Sequence, residues 1–346
     1  MMNMNNQTIL NQIVNPQEQI AFKNMRTDME TGKALLNPEQ LGTFLRAAQI
    51  NNTILNMADF KLMKSYEKQL NRVGINGRVL QNGYKTNGDT NDQITDAEIT
   101  FGANTLLAKK YKASFTLADD DKEDNLEQEQ FEQTLFTMMG ERIGEDQEFT
   151  FVFGDSTLDK TQQPLLSSMD GWIKKAGNQL KSTGVNSTNG QFDIADGVEN
   201  MFDKMIYSIG VRFRDKSKLA FFVPFEVEDA YRNVLGARQT SLGDTNTIDA
   251  PPLTYKKIPV IYCPTLDAED GQSIDNTATS ILTQPKNMAY GMYKDVSIEP
   301  ERKPGPEETK YWYRLRADCD YYFRQASVTA KITTEENVAL PAASRT

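Results

Sequence analysis

Among the 346 residues there is no histidine. That removes Ser-His-Asp and Cys-His nucleophile systems, imidazole proton shuttles and the commonest zinc ligand. Carboxylate, lysine and tyrosine chemistry stay open, and carboxylates gather in three places. Glu226, Glu228 and Asp229 follow Pro224, where a helix is expected to start and its dipole favours acids. Asp318 and Asp320 flank Cys319, so on a strand they share one face, with Arg314, Arg316 and Arg324 as candidate partners. The run Asp119, Asp120, Asp121, Glu123, Asp124 precedes a long helical stretch and suits its N-terminus. A calcium loop would need a glycine and spaced ligands that this run lacks. Tyr311, Trp312, Tyr313, Arg314 and Arg316 could stack nucleic-acid bases. A strand with core on one face and salt bridges on the other explains them more simply. No GxxxxGK[ST] loop, GxGxxG turn or paired CxxC is present. These residues favour a structural or binding protein over an enzyme, with no cofactor and no metal expected.

The element that organises the chain is the stretch from Asn125 to Phe153. Leu126, Phe131, Leu135, Met138, Met139, Ile143, Phe149, Val152 and Phe153 recur at helical spacing with no proline between them. A helix of that length would be a rod of about 43 Å, against an average of roughly 11–12 residues in globular proteins. Gly140 and Gly144 share one face of it, each costing about 1 kcal/mol against alanine. They mark a point of close backbone approach or of bending.

Before this rod, residues 1–36 form a polar Asn/Gln/Met-rich arm with too little apolar surface to fold alone. Asn37-Pro38 opens a helix whose Leu41, Phe44, Leu45 and Ala48 share a face. A turn and extended chain then run to Gly74. From Gly77 to Thr116 two strands are expected to flank a long polar tip, the exit strand being the alternating stretch Leu107–Leu117. So large an excursion with so little core should project from its subunit.

After the rod, a loop-rich segment leads to a helix with the apolar stripe Ile194, Val198, Met201, Phe202, Met205, Ile206, Ile209. Asp193 is its expected cap and Gly210 its end. Strands over Lys218–Val223, Ile258–Cys263 and Ser280–Thr283, with a helix over Phe225–Leu235, make a compact α/β unit at about 155–285. Strands Met292–Ile298, Trp312–Phe323 and Val328–Ile332 follow. Pro300, Pro304, Gly305 and Pro306 form a rigid turn region between the first two.

Net charge is −10 and the pI about 4.8, so no basic surface for gripping phosphates is evident. No apolar run reaches the ~20 residues of a membrane span, so no membrane is expected. No secretory signal is visible at the N-terminus. Cys263 and Cys319 are then expected as free thiols in a chain that folds in a cytoplasm.

The order of these parts resembles the major capsid protein of tailed bacteriophages, an α+β, Hong Kong 97-like shell fold also seen in encapsulins. The stretches Phe44-Leu45-Arg46-Ala47 and Ile75–Leu80 look like the lead into that family's projecting E-loop. Leu219–Pro224, Tyr231-Arg232, Leu242-Gly243-Asp244 and Ile258-Pro259-Val260 look like its axial (A) domain. The resemblance implies an N-terminal arm (1–45), a peripheral (P) domain (46–75, 117–153 and 286–346) with spine helix 125–153, an E-loop (76–116) and an A-domain (154–285). It implies a virion shell of pentamers and hexamers, assembled in the host bacterial cytoplasm with a separate scaffolding protein and a portal protein, enclosing double-stranded DNA without specific binding. The expected inter-subunit contact residues are Tyr84, Lys85, Lys109 and Lys110 on the E-loop, and Gly140 and Gly144 on the spine. None of the lysines matches a cross-linking motif, so cross-linking is not expected. An encapsulin-type compartment stands as the alternative on the same fold. In another class, a monomeric acidic binding protein or a carbohydrate-active enzyme using acid pairs stays open.

Overall fold

A computed structural model describes residues 52–75, 99–118, 129–180, 192–193, 197–236, 252–267, 277–293 and 297–333. The expected arm, the helix from Asn37, and Tyr84 and Lys85 lie outside them. In chain order the main elements are α1 (Thr53–Met57), β1 (Asp59–Met63), β2 (Glu67–Ile75), β3 (Ile99–Leu107), β4 (Lys109–Ala118), α2 (Glu129–Phe153), α3 (Trp172–Lys175), β5 (Asn178–Leu180), β6 (Phe192–Asp193), α4 (Val198–Ser208), β7 (Ala220–Val223), α5 (Phe225–Gly236), β8 (Thr254–Tyr255), β9 (Ile258–Tyr262), β10 (Thr277–Thr283), β11 (Met288–Tyr293), β12 (Ser297–Lys303), β13 (Glu308–Tyr321) and β14 (Val328–Thr333).

The first sheet is built around β13, which pairs with β4 along one edge and with β12 and then β11 along the other; β1 joins β11 in parallel. Fourteen residues of β13 explain the arrangement, since one strand is long enough to serve two partners on the same side. Burial alternates from Glu308 to Arg316, with Tyr311, Tyr313 and Leu315 inward, and then covers both faces from Ala317 to Tyr321. The inward face shares a core with Leu135, Met139, Ile143, Phe151 and Val152 of α2. Phe151 sits 5.8 Å from the Trp172 ring and 5.9 Å from that of Tyr290. The long helix is therefore one element, about 37 Å long, with 25 described residues.

The second sheet runs β5-β14-β10-β7-β9-β8, with β6 beside β14. Its central strand, Ala-Phe-Phe-Val, is buried at every position. Ala220 and Phe222 face the core that contains α2, while Phe221 and Val223 face a second core with α4 and α5. A strand covered on both faces reads as a continuous apolar run, as this one does. The second core gathers Val198, Met201, Phe202, Met205 and Ile206 of α4 with Ile209 just after it, the described part of the expected stripe; Ile194 lies outside the described residues.

Five expectations change. The hairpin strands are β2 and β3, which pair from Glu67↔Leu107 to Ile75↔Ile99. The expected exit strand, β4, instead pairs with β13 from Lys109↔Ala317 to Ala118↔Glu308. Alternation alone marks a strand and does not name its partner. Asp193 does not cap α4: it lies in β6 opposite Thr333, and the helix starts after Gly197, whose φ of +89° breaks the helical path. Pro300 lies within β12 rather than in a turn, which an edge strand tolerates. The stretch Met292–Ile298 divides between β11 and β12, and residues 294–296 lie outside the described residues. Finally, the boundary at 285/286 does not separate the sheets. β14 pairs with β10 in the second sheet, while Met169, Trp172 and Ala176 belong to the first core.

Candidate assembly surfaces

Three structural features bear on function: a hairpin held at its base, a charged face on the first sheet, and a carboxylate that joins the long helix to α1 and to the segment after β9. The hairpin β2–β3 forms a two-stranded sheet of its own, packed against the first sheet. Its base is fixed by Leu70 and Leu106, which share a small core with Met63 and Ala289. Gly291 lets this core close tightly: a Cβ would stand 2.7 Å from Met63 Sδ and 3.0 Å from Leu106 Cδ1, so those side chains would have to shift. Polar contacts complete the clamp. The Leu107 N–H donates to Asp318 Oδ2 at 2.6 Å, Asn104 Nδ2 to the Tyr321 carbonyl at 2.5 Å, and Arg72 Nη1 to the Tyr322 carbonyl at 3.1 Å.

Asp318 and Asp320 do share a strand, but their partners differ. Arg324 forms the expected pair with Asp320, Nη2 to Oδ2 at 2.7 Å. Asp318 is 3.4 Å from Lys175 Nζ, which also donates to the Cys319 carbonyl at 2.6 Å. Burial pushes the Asp318 carboxyl up, against the pull of Lys175 and the hydrogen bonds from Leu107 and Cys319. Lys175 comes from a short helix far away in sequence, so no local signal pointed to it. Arg314 pairs instead with Glu299 at 2.6 Å, across to β12.

The outward face of the β4–β13 ribbon carries Lys110, Lys112, Arg314 and Arg316. Their register sets Lys112 opposite Arg314 and Lys110 opposite Arg316. At one end the ribbon meets a groove of ≈ 240 Å³ lined by Tyr66, Tyr293, Lys110, Arg314 and Arg316. Tyr66 and Tyr293 stack at 4.8 Å, and the Arg316 guanidinium lies 4.4 Å from the Tyr66 ring centre. Tyr66 is 55% exposed. Lys109 and Lys110 are exposed at this same end. Gly140 and Gly144 are buried in α2, which belongs to the core on the ribbon's other face. The sequence-predicted residues that are described therefore fall into two separate groups rather than one site.

Glu148, which sequence reasoning did not single out, is fully buried in α2. Its Oε2 accepts the Leu55 N–H at 3.1 Å and its Oε1 accepts from Thr265 Oγ1 at 2.6 Å. Leu55 lies in α1, which leads into β1 and the hairpin, and Thr265 follows β9 of the second sheet. One side chain thus ties α2 to both. Burial raises its pKa, with hydrogen bonds from Thr265 and from the backbone of Leu55 and Ile54 opposing. Among the described residues no group of three His, Cys, Asp or Glu is placed to hold a metal ion. No helix among them is long and apolar enough to cross a membrane.

No protein-family model matches the chain. Over 314 residues it is 25% identical to the Bacillus subtilis protein named "Putative prophage capsid protein YqbE", covering 88% of this chain and 93% of that one. Among solved structures it is similar to the satellite phage P4 procapsid that includes the size determination (Sid) protein, with a TM-score of 0.57 at 15% identity, over 85% of this chain and 100% of that one. It is similar to the capsid of an empty GTA particle, TM-score 0.54 at 10% identity, over 82% of this chain and 90% of the other. A chain of Microbacterium phage Oxtober96 gives 0.53 at 12% identity, over 82% and 91%. The long helix and the two sheets are thus the Hong Kong 97-like fold of phage capsid proteins, matched over 82–85% of this chain.

Proposed function

We propose that this chain is the major capsid protein of a tailed phage or prophage, many copies of which assemble into an icosahedral head shell around double-stranded DNA. The observation that carries this reading is the near end-to-end similarity to a prophage capsid protein together with the capsid fold. The role is structural and not enzymatic. α2 with the first sheet serves as the peripheral domain, the second sheet with α4 and α5 as the axial domain, and the chain between β2 and β3 as the tip of the E-loop. Axial domains meet in pentamers and hexamers, and the tip and the N-terminal arm lie on neighbours. A separate scaffolding protein and a portal protein guide assembly in the host cytoplasm. A net charge of −10 suits a wall that confines DNA without gripping its phosphates.

The test is purification after expression with its neighbouring phage genes. Megadalton particles in light scattering and negative-stain images are expected, with nucleic acid inside. A stable monomer at high concentration with scaffold present overturns the shell reading. A particle holding a protein cargo and no nucleic acid replaces it with an encapsulin-type compartment.

A further inference from the structure

Charges on the outward face of the first sheet are answered within the sheet, except at one end. On β12 and β13, Arg314 pairs with Glu299 at 2.6 Å and Lys303 with Glu308 at 3.1 Å. Trp312 Nε1 donates to Glu301 at 2.7 Å, and Lys310 lies 4.1 Å from the Trp312 ring centre. The register sets Lys112 opposite Arg314 and Lys110 opposite Arg316 on this same face. Among the described residues no carboxylate pairs with Lys110, Lys112 or Arg316. Like charges directly opposite each other on neighbouring strands are destabilising. The chain's net charge is −10, so the cluster is not a by-product of general basicity.

The unanswered end is also where the surface is shaped. Lys110, Arg314 and Arg316 line the groove of ≈ 240 Å³ together with Ser297, Tyr66 and Tyr293. The exposed Tyr66 ring is braced by its stack on Tyr293 and gives the groove an apolar wall. The Arg316 guanidinium is held beside that ring, 4.4 Å from its centre. A cation positioned in advance next to an aromatic wall suits a carboxylate side chain: the guanidinium takes the oxygens and the ring packs the methylenes. Lys110 and Lys112 recur along β4 at about 6.8 Å, the spacing of alternate side chains on any extended strand.

We propose that this end of the face binds an extended acidic segment of a neighbouring polypeptide, with carboxylates at alternate positions. One carboxylate meets Lys110 and Arg316, and the next meets Lys112. Duplex DNA is the other polyanion a basic surface can take. Its phosphates would run on across the sheet to Glu299 and Glu301, which stand on this face opposite Trp312 and Lys310. The basic area is two residue pairs long, which a peptide matches and a duplex overruns. That the polypeptide is a neighbour in the particle rests on the shell reading; the carboxylate chemistry of the groove does not.

The experiment uses the full-length subunit, kept unassembled by leaving out its scaffold. Fluorescence anisotropy measures binding of a short labelled peptide alternating glutamate and threonine, of its glutamine counterpart, and of a short DNA duplex. The glutamate peptide is expected to bind roughly tenfold or more tightly than the glutamine one, the effect of two or three charge pairs, and to weaken with salt. Lys110→Ser/Arg316→Ser is expected to abolish the preference, and Lys303→Ser, away from the groove, to keep it. Circular dichroism checks folding; if the first variant does not fold, Lys110→Ser/Lys112→Ser, on the exposed side of β4, takes its place. Equal binding of the two peptides overturns the proposal. So does a preference that survives the groove variants, or duplex binding tighter than the peptide's and lost with the same variants. Assembled particles are expected to bind the glutamate peptide at least tenfold more weakly than free subunits, because the neighbour fills the groove. Equal binding by particles and subunits overturns the neighbour as occupant. Absence of particles overturns the shell reading, while the peptide titration still decides the groove's chemistry.

Discussion

Replacing Glu148 separates its hydrogen bonds from its charge. Glu148→Ala leaves the buried Leu55 N–H without its partner, at about 1–3 kcal/mol, and the part-buried Thr265 hydroxyl without its own, at the low end of that range. Adding the lost side-chain packing, the cost is on the order of 3–5 kcal/mol. Glu148→Gln keeps both contacts, since the amide oxygen accepts from Leu55 and the amide nitrogen donates to Thr265. It also removes a buried charge. The folded pKa of Glu148 is raised above the ordinary value of 4.5 by burial. Its contribution to stability is therefore full below that ordinary value and is lost as pH rises through the folded pKa. The glutamine variant lacks this loss. It should match the wild type at the acid end and exceed it towards neutral pH, by about 1.4 kcal/mol per unit of pKa shift. Urea unfolding of the unassembled subunit, from pH 4 to 8, measures the gap. A glutamine variant as unstable as the alanine one, or a gap that does not change with pH, refutes the reasoning.

Lys175→Met leaves Asp318 buried without its ammonium partner and should cost about 3–5 kcal/mol in the same assay; adding Asp318→Asn to it should recover most of that loss. Gly144→Leu puts a side chain where α2 is buried and should cost roughly 1–3 kcal/mol by overpacking, or block assembly. An unchanged melting curve together with normal particles would leave the glycine with no packing role. Excising residues 76–98 and joining Ile75 to Ile99 through Asn-Gly should leave a folded subunit, because the clamp at Leu70, Leu106 and Gly291 is untouched. Its particle yield should collapse; loss of monomer folding would place the excised segment in the core.

The elements that carry a single periodicity were legible in the sequence. The long helix, the α4 stripe and the doubly buried Ala-Phe-Phe-Val strand declare themselves because local spacing reflects which faces are covered. Partners were not legible. The alternation along β4 looks the same whether the strand closes a hairpin or borders β13, and Asp318 finds Lys175 across a large sequence gap. Of the expected contact residues, Lys110 proved to sit beside Arg314 and Arg316 on one face, a cluster that exists only once the register of β4 on β13 is known. Glu148 carried no signal because an acid within a polar helix stretch reads as solvated until α1 and the segment after β9 close over it.

The central claim is that this chain builds a shell. Electron cryomicroscopy of particles purified after expression tests it most directly. The account predicts closed icosahedral particles whose repeating subunit shows the long helix, the projecting hairpin and the two sheets. A protein that stays monomeric with its scaffold present, or forms only a small ring or dimer, contradicts it.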